Sequence, residues 1–188
     1  MNFKKQNPAL ILIDIQKGFD EEEYWGGNRN NKGAEKKSAI ILNKWRELNL
    51  PVFHIVHSSQ NPISKLHESH PGFEIKEEVK PINGEPVIKK NVNSAFIGTD
   101  LKERLDNQGI TKLVIVGLTT NHCVSTTTRM AGNFGFDTFL ISDATATFDR
   151  VGVNGELFDA EIIHQTTLAS LNNEFAQVIN TQTLLELV

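Results

Sequence analysis

Six short apolar runs recur along this chain, and most are apolar at consecutive positions rather than at every second one. They read "ALILID" (9–14), "PVFHIVH" (51–57), "EPVIKK" (85–90), "KLVIVGL" (112–118), "FDTFLISDA" (136–144) and "FAQVINT" (175–181). A strand that is apolar on both faces has to be covered on both faces, which is the situation of a parallel sheet between two layers of helix. The intervening segments have helical periodicity. "GAEKKSAIILNKWRELNL" sets Ile40, Ile41, Trp45 and Leu48 on one face, "GTDLKERLDNQG" (98–109) opens at Thr99 and stops at Gly109, and "NHCVSTTTRMAGNFG" and "ELFDAEIIHQTTLASLN" predict two further helices. A terminal helical turn follows the last strand. The pattern predicts one α/β domain over residues 1–188, a three-layer α/β/α sandwich with a mostly parallel central sheet. At 188 residues, 39% of them hydrophobic, the chain is long enough to bury a continuous core.

Composition narrows the function classes. The formal charge of −4 is mild and spread along the sequence, so neither nucleic acid nor an anionic membrane is an expected partner, and a small neutral or cationic ligand fits better. A lone cysteine forms no internal disulfide. The first apolar run carries Asp14 and is followed by no small-residue cleavage site, which favours a cytoplasmic strand over a signal peptide. No uncharged apolar stretch is long enough to span a bilayer.

Ligands of open parallel sheets bind beyond the carboxyl ends of the strands. Asp14, His57, Lys90 and the segment leading to Cys123 all fall at or just past such ends, and two long loops, 17–33 and 58–84, are placed to enclose them. Cys123 is expected in the first turn of a helix, where free N–H groups and the helix dipole favour a thiolate; the plainer alternative is a small buried hydrophobe. Asp14 is either a reactive carboxylate or a turn cap, and Lys90 either a site cation or a solvated surface charge. Taken together, the three form a nucleophile, a proton acceptor and a stabilising cation.

The stretches "LILIDIQKGF", "VIKKNVNSAFIGTDL" and "LVIVGLTTNHCVSTTTRMAGNFGF" with "ISDAT" resemble the isochorismatase-like cysteine hydrolase superfamily, in family order and spacing, from about residue 9 to about 180. The resemblance implies a catalytic triad of Asp14, Lys90 and Cys123. Lys90 is preferred to Lys89 because the family lysine stands four residues before the Ser-Ala-Phe that is here Ser94, Ala95 and Phe96. The resemblance further implies a cis peptide bond between Leu118 and Thr119, an oxyanion hole from the amides of Thr119 and Cys123, and hydrolysis of a C–N bond in a small amide, lactam or carbamoyl compound through a thioester. It also implies a homo-oligomer, dimer or tetramer, in which a neighbouring subunit closes the site.

Isochorismatases proper lack the nucleophilic cysteine, which argues against isochorismate as substrate. Nicotinamidases carry a metal site built on an Asp-x-His pair that "FHIVHSSQNPISKLHESHPGFE" lacks. His54 and His57 are three apart, so in a strand they face opposite ways, and His67 and His70 are read as plain polar loop residues; neither a metal nor any other cofactor is expected. Phe19, Tyr24 and Trp25 are candidates to wall the substrate pocket and His57 to touch the substrate. Asn121 and His122 are expected to orient the turn, and Asp143 to be structural. The other readings are a nicotinamidase or isochorismatase proper, and a redox-sensing or non-catalytic binding module with an activated Cys123; a dinucleotide-binding domain is disfavoured because "IDIQKGFDEE" has no Gly-rich turn. If the dipole, Lys90 and the oxyanion amides act on it, the Cys123 thiol should titrate below the free value of about 8.5, with the neighbouring Asp14 carboxylate pulling the other way.

Overall fold

The alternate residues of one strand enter two different cores, and this sorts the helices into layers. In the computed structural model, which describes residues 3–188, strand β1 (Ala9–Ile13) is buried at every position. Ala9, Ile11 and Ile13 face a cluster with Leu101, Leu105, Val124, Ala131, Leu168 and Leu171, whereas Leu10 and Leu12 face Ile41, Leu42, Trp45 and Leu184. Helices α3 (Leu101–Asn107), α4 (Ser125–Asn133) and α5 (Ala160–Leu171) therefore cover one face, and α2 (Ala34–Glu47) and α6 (Thr181–Leu187) cover the other. The short α1 (Glu22–Trp25) lies in the first long loop. Met1 and Asn2, the start of the expected 1–188 domain, lie outside the described residues.

The sheet adds β2 (Val52–His57), β3 (Val87–Lys90), β4 (Lys112–Leu118), β5 (Asp137–Ala146) and β8 (Gln177–Ile179), in the order β3-β2-β1-β4-β5-β8. Each neighbouring pair is parallel. The chain steps outward from β1 to β3, then returns to the other side of β1 with β4, so the strand order reverses between β1 and β4. At such a switch point the loops leaving two adjacent strands diverge and open a crevice. Gly117 shapes the crevice floor: its φ is +128°, and a Cβ there would stand 2.0 Å from the Ile13 carbonyl oxygen. Only glycine lets β4 come this close to the end of β1.

Three local expectations are corrected. The buried face of α2 is Ser38, Ile41, Leu42 and Trp45, while Ile40 is 47% exposed and Leu48 half-buried, a face rotated from the expected one. The helix read from Glu156 starts at Ala160 instead. Asp159 caps it, accepting from the Glu161 N–H at 2.8 Å, and Leu157–Phe158 (β7) pairs with Arg150–Val151 (β6) in a two-stranded hairpin. Helix α3 begins at Leu101, two residues past Thr99, whose hydroxyl accepts the Leu101 N–H at 3.4 Å.

A buried ion network anchors the first long loop. Arg29 grips Glu35 through two 2.7 Å bonds, and Lys76 reaches Glu35 at 2.6 Å and Asp20 at 2.5 Å. Burial pushes the Glu35 carboxyl up, but the bonds from Arg29 and Lys76 outweigh it and hold the pKa down at about 2. Because the folded pKa is depressed, the stabilisation is complete above the unfolded value near 4.5 and is lost as pH falls through about 2. Glu35→Gln should cost about 3–5 kcal/mol at pH 7, a fall in Tm of about 10 °C, by leaving buried Arg29 without a carboxylate and Lys76 with only the exposed Asp20. Thermal melts at pH 7 and pH 3 check this: the gap between variant and wild type should narrow in acid, and an unchanged Tm at pH 7 would refute it.

Candidate active site

Four carboxyl ends lie side by side above the sheet. Asp14 follows β1 with φ +51°, a left-handed conformation that short polar residues such as Asp and Asn adopt more readily than others. Its N–H donates to the Ile55 carbonyl at 3.0 Å, which ties the strand end to β2. Gln16 then fixes the descending chain. It is fully buried, donates to the carbonyls of His57 (3.1 Å) and Phe73 (2.8 Å), and accepts from the His57 N–H (2.8 Å). One side-chain amide thus joins the ends of β1 and β2 to the second long loop.

Lys90 ends β3, opposite His57 of β2 and two strands away from β1. With neighbouring strands about 4.8 Å apart, only a long side chain crosses that gap. Its ammonium reaches Asp14 Oδ2 at 2.7 Å, His57 Nδ1 at 3.0 Å and Cys123 Sγ at 3.3 Å. The side chains of Lys90 and Asp14 are wholly buried. Lys89, one residue earlier, points the other way and pairs with Glu68 at the surface.

Cys123 arrives from β4. The Leu118–Thr119 peptide is cis, and Thr120–Val124 winds one wide π turn, closed by the Val124 N–H on the Thr119 carbonyl at 3.3 Å, before α4 begins. Cys123 is the fourth residue of this helical segment and is 8% exposed. The expected acidic thiol is corrected here. Burial pushes the Cys123 thiol well above its ordinary range, the Asp14 charge pushes the same way, and Lys90 opposes both without overcoming them. A helix start favours a thiolate, but a site sealed from water beside a carboxylate favours the thiol. Asp14 Oδ1 is buried without a hydrogen-bond partner, while Oδ2 is held by Lys90.

Asp14, His57 and Cys123 each present one possible metal-ligating atom, all within 4.8 Å of one another. The Lys90 ammonium bonds to all three residues and so supplies the positive charge that a metal ion would bring. Burial and Lys90 both lower the pKa of His57, so its ring is neutral and accepts from Lys90 at Nδ1, which leaves the proton on Nε2. His54 turns away from the site to Glu85 at 2.9 Å; His67 bonds to Ser69 and His70 caps the Pro71–Phe73 turn.

Above the cluster lies a cavity of about 240 Å³, lined by Phe19, Trp25, His57, Ser59, Ser64, Leu66, Asn93, Thr119, His122, Cys123 and Arg150. The Phe19 and Trp25 rings lie 4.7 Å apart, tilted by 35°, both stacked against Phe148, and the Trp25 indole donates to the Gly18 carbonyl at 2.8 Å. Tyr24 stays exposed, outside the cavity, with Lys65 over its ring. Asn121 accepts from the Thr147 hydroxyl, and Asp143 receives the N–H and hydroxyl of Thr181 at the start of α6. Gln16, Asn93 and Arg150 were not among the residues expected here. Arg150 was findable, since it lies four residues past the end of β5 and the strand-end rule applies to it equally.

The fold has counterparts among known proteins. The family described as Isochorismatase domain matches residues 8–183. An uncharacterized isochorismatase family protein of Bacillus subtilis (strain 168), YrdC, is 50% identical over 181 residues, 96% of each chain. The crystal structure of an isochorismatase-family protein from Chromobacterium violaceum superposes with a TM-score of 0.94 at 40% identity, covering 100% of this chain and 96% of that one. Nicotinamidase 3 of Arabidopsis thaliana is 28% identical, over 92% of this chain and 84% of its own. The chain belongs to the isochorismatase family.

The thiol environment has a direct test in iodoacetamide alkylation. The rate should climb about tenfold per pH unit from pH 7 to 9.5 without a plateau, because only the thiolate reacts. Asp14→Asn should speed alkylation at pH 8 and Lys90→Met should slow it. A wild-type plateau below pH 8 would show that the thiol is acidic after all.

Proposed function

We propose that this protein is a cysteine hydrolase that cleaves the C–N bond of a small amide, lactam or carbamoyl compound. The observation that carries the reading is the arrangement about Lys90: a buried carboxylate with one oxygen held and the other unpartnered, and a buried thiol 3.3 Å from the same ammonium. Asp14 is the base that takes the Cys123 proton as the thiol approaches the substrate carbonyl, and Lys90 balances the charge that moves onto sulfur. The carbonyl oxygen becomes an oxyanion facing the amides of Thr119 and Cys123. Collapse of the tetrahedral adduct returns the Asp14 proton to the departing nitrogen and leaves a thioester on Cys123. Water, giving its proton to Asp14, then releases the acid and restores the thiol. Net, one amide and one water give one acid and one amine.

Likeness to a protein named as a nicotinamidase supports an amide as the bond broken. The absence of an Asp-x-His pair after β2 separates this chain from the expected nicotinamidase metal site. The redox-sensing alternative loses ground on the thiol itself, since oxidation follows thiolate character and exposure, and Cys123 has little of either. Ammonia release across a panel of primary amides, lactams and ureido compounds tests the reading. At least one should be hydrolysed, with turnover abolished in Cys123→Ala and reduced about 10²- to 10⁴-fold in Asp14→Asn. Product from isochorismate with no ammonia from any panel member would overturn it.

A homo-oligomer belongs to the same proposal. The hairpin that carries Arg150 into the cavity wall also exposes Val151, Val153 and Leu157, and Ile162 of α5 is exposed as well. Exposed side chains of this kind grouped beside a site mark a surface for a second copy. Light scattering should give twice the 21.0 kDa chain mass or more at micromolar concentration, and a monomer there would count against it.

A further inference from the structure

Of the five arginines, three are paired with carboxylates: Arg29 with Glu35, Arg46 with Glu85 and Arg104 with Asp100. Arg129 bonds to the Ser125 hydroxyl and lies over the Phe175 ring. Arg150 is different. It lines the same small cavity as Cys123 and Thr119, and among the described residues no carboxylate lies within ion-pair distance of it. Asp149, its neighbour in sequence, turns its own carboxylate to Asn28 and to the first amide of α5. The guanidinium is oriented all the same: Nη1 donates to the Trp25 carbonyl at 2.8 Å, while Nε is buried without a partner. Burial lowers the pKa of Arg150, with no acidic neighbour raising it in return.

A half-buried cation with no counter-charge is costly unless something fills the gap. With Nη1 engaged and Nε enclosed, Nη2 is the guanidinium donor left for a ligand, and a carboxylate oxygen is the acceptor that satisfies a charged N–H most strongly. The remaining polar side chains of the cavity reinforce the preference. His57 is left with its Nε2 proton to donate, Ser59, Ser64 and Thr119 offer hydroxyls, and Asn93 and His122 add no acidic group, whereas Asp14, beside Cys123, is paired with Lys90. The wall facing Cys123 is therefore net positive, although the whole chain carries −4.

We propose that Arg150 binds a carboxylate of the substrate, so that the compound hydrolysed at Cys123 is a small amide or carbamoyl acid bearing a free carboxylate within a few carbons of the scissile bond. This rests on the amide-hydrolase reading and narrows it. The cavity, at about 240 Å³, confines both groups to one small molecule.

The test uses pairs of compounds: ω-amides of malonic, succinic and glutaric acids and N-carbamoyl glycine, each as the free acid and as its methyl ester. In the wild type, kcat/KM for the best free acid should exceed that for its ester by at least about tenfold. In Arg150→Met that ratio should fall about thirtyfold or more, mainly through KM, and Arg150→Lys should recover part of it. Thermal melts of both variants establish that they fold. A second arm needs no turnover. Calorimetric titration of malonate, succinate and glutarate into Cys123→Ala should show binding of at least one, lost when Arg150→Met is added. Equal turnover of acids and esters, or a ratio unmoved in Arg150→Met, overturns the carboxylate site and leaves the hydrolase reading standing. Arg150-dependent dicarboxylate binding without ammonia release from any pair supports the site and overturns the hydrolase reading. Inorganic phosphate binding more tightly than every dicarboxylate overturns the choice of carboxylate.

Discussion

A single buried ammonium organises this molecule. Lys90 stands within 2.7–3.3 Å of a carboxylate, an imidazole and a thiol, which come from the ends of three other strands. Either charge of the Lys90–Asp14 pair would cost several kcal/mol to bury without the other, whereas a thiol carries no such penalty. Together the four groups form a satisfied cluster with one vacancy, the unpartnered Oδ1 of Asp14. The strand order then has a purpose, because it sets β3, β2, β1 and β4 side by side so that the long lysine side chain spans exactly the gap that shorter residues leave. Gly117 and the Gln16 clamp hold that spacing from below and from the side.

Much of this was legible in the amino-acid sequence, for an identifiable reason. Runs apolar at successive positions, such as Ile11-Leu12-Ile13, announce a strand covered on both faces, and that condition brings the parallel sheet, the crossover helices and the strand-end site with it. The preference for Lys90 over Lys89 rested on the family resemblance; in the structure Lys90 is buried against Asp14 and Lys89 pairs with Glu68 at the surface. What local pattern does not carry is tertiary environment. The Asp14 carboxylate beside Cys123 was expected from the strand-end pattern, but how deeply the thiol is sealed, the largest influence on its acidity, is not visible in "TTNHCVS". The face of α2 shifted because Ser38 turns inward to bond with the carbonyls of Ala34 and Ala144, a polar residue in a core that a search for apolar periodicity passes over. The hairpin was hidden inside an apparent helix because Asp159, not the apolar pattern, decides where α5 begins.

The division of labour within the site follows the architecture. The groups about Lys90 come from the ends of sheet strands and from the helix start after β4, whereas the cavity wall comes from the first long loop, the second long loop and the β6–β7 hairpin. These outer segments are joined to one another by polar bonds, as where Asn28 reaches Asp149 and Asp159, and Asn30 reaches Thr147 and Glu161. A wall built this way can change its side chains without moving the groups beneath it, so substrate preference and bond-breaking chemistry are free to vary independently.

The full burial of the Lys90–Asp14 pair separates the site into two electrical regimes. Dissolved ions do not reach charges with no exposed surface, so those charges interact unscreened whatever the salt concentration, whereas the half-buried guanidinium of Arg150 faces the open cavity and answers to the ionic strength of the solution. In the proposed mechanism the proton passing from Cys123 to Asp14 leaves the net charge of the sealed cluster unchanged, so salt would have little hold on that step. Recruitment of the proposed carboxylate from solvent would be the step that salt governs, the two being felt in different media.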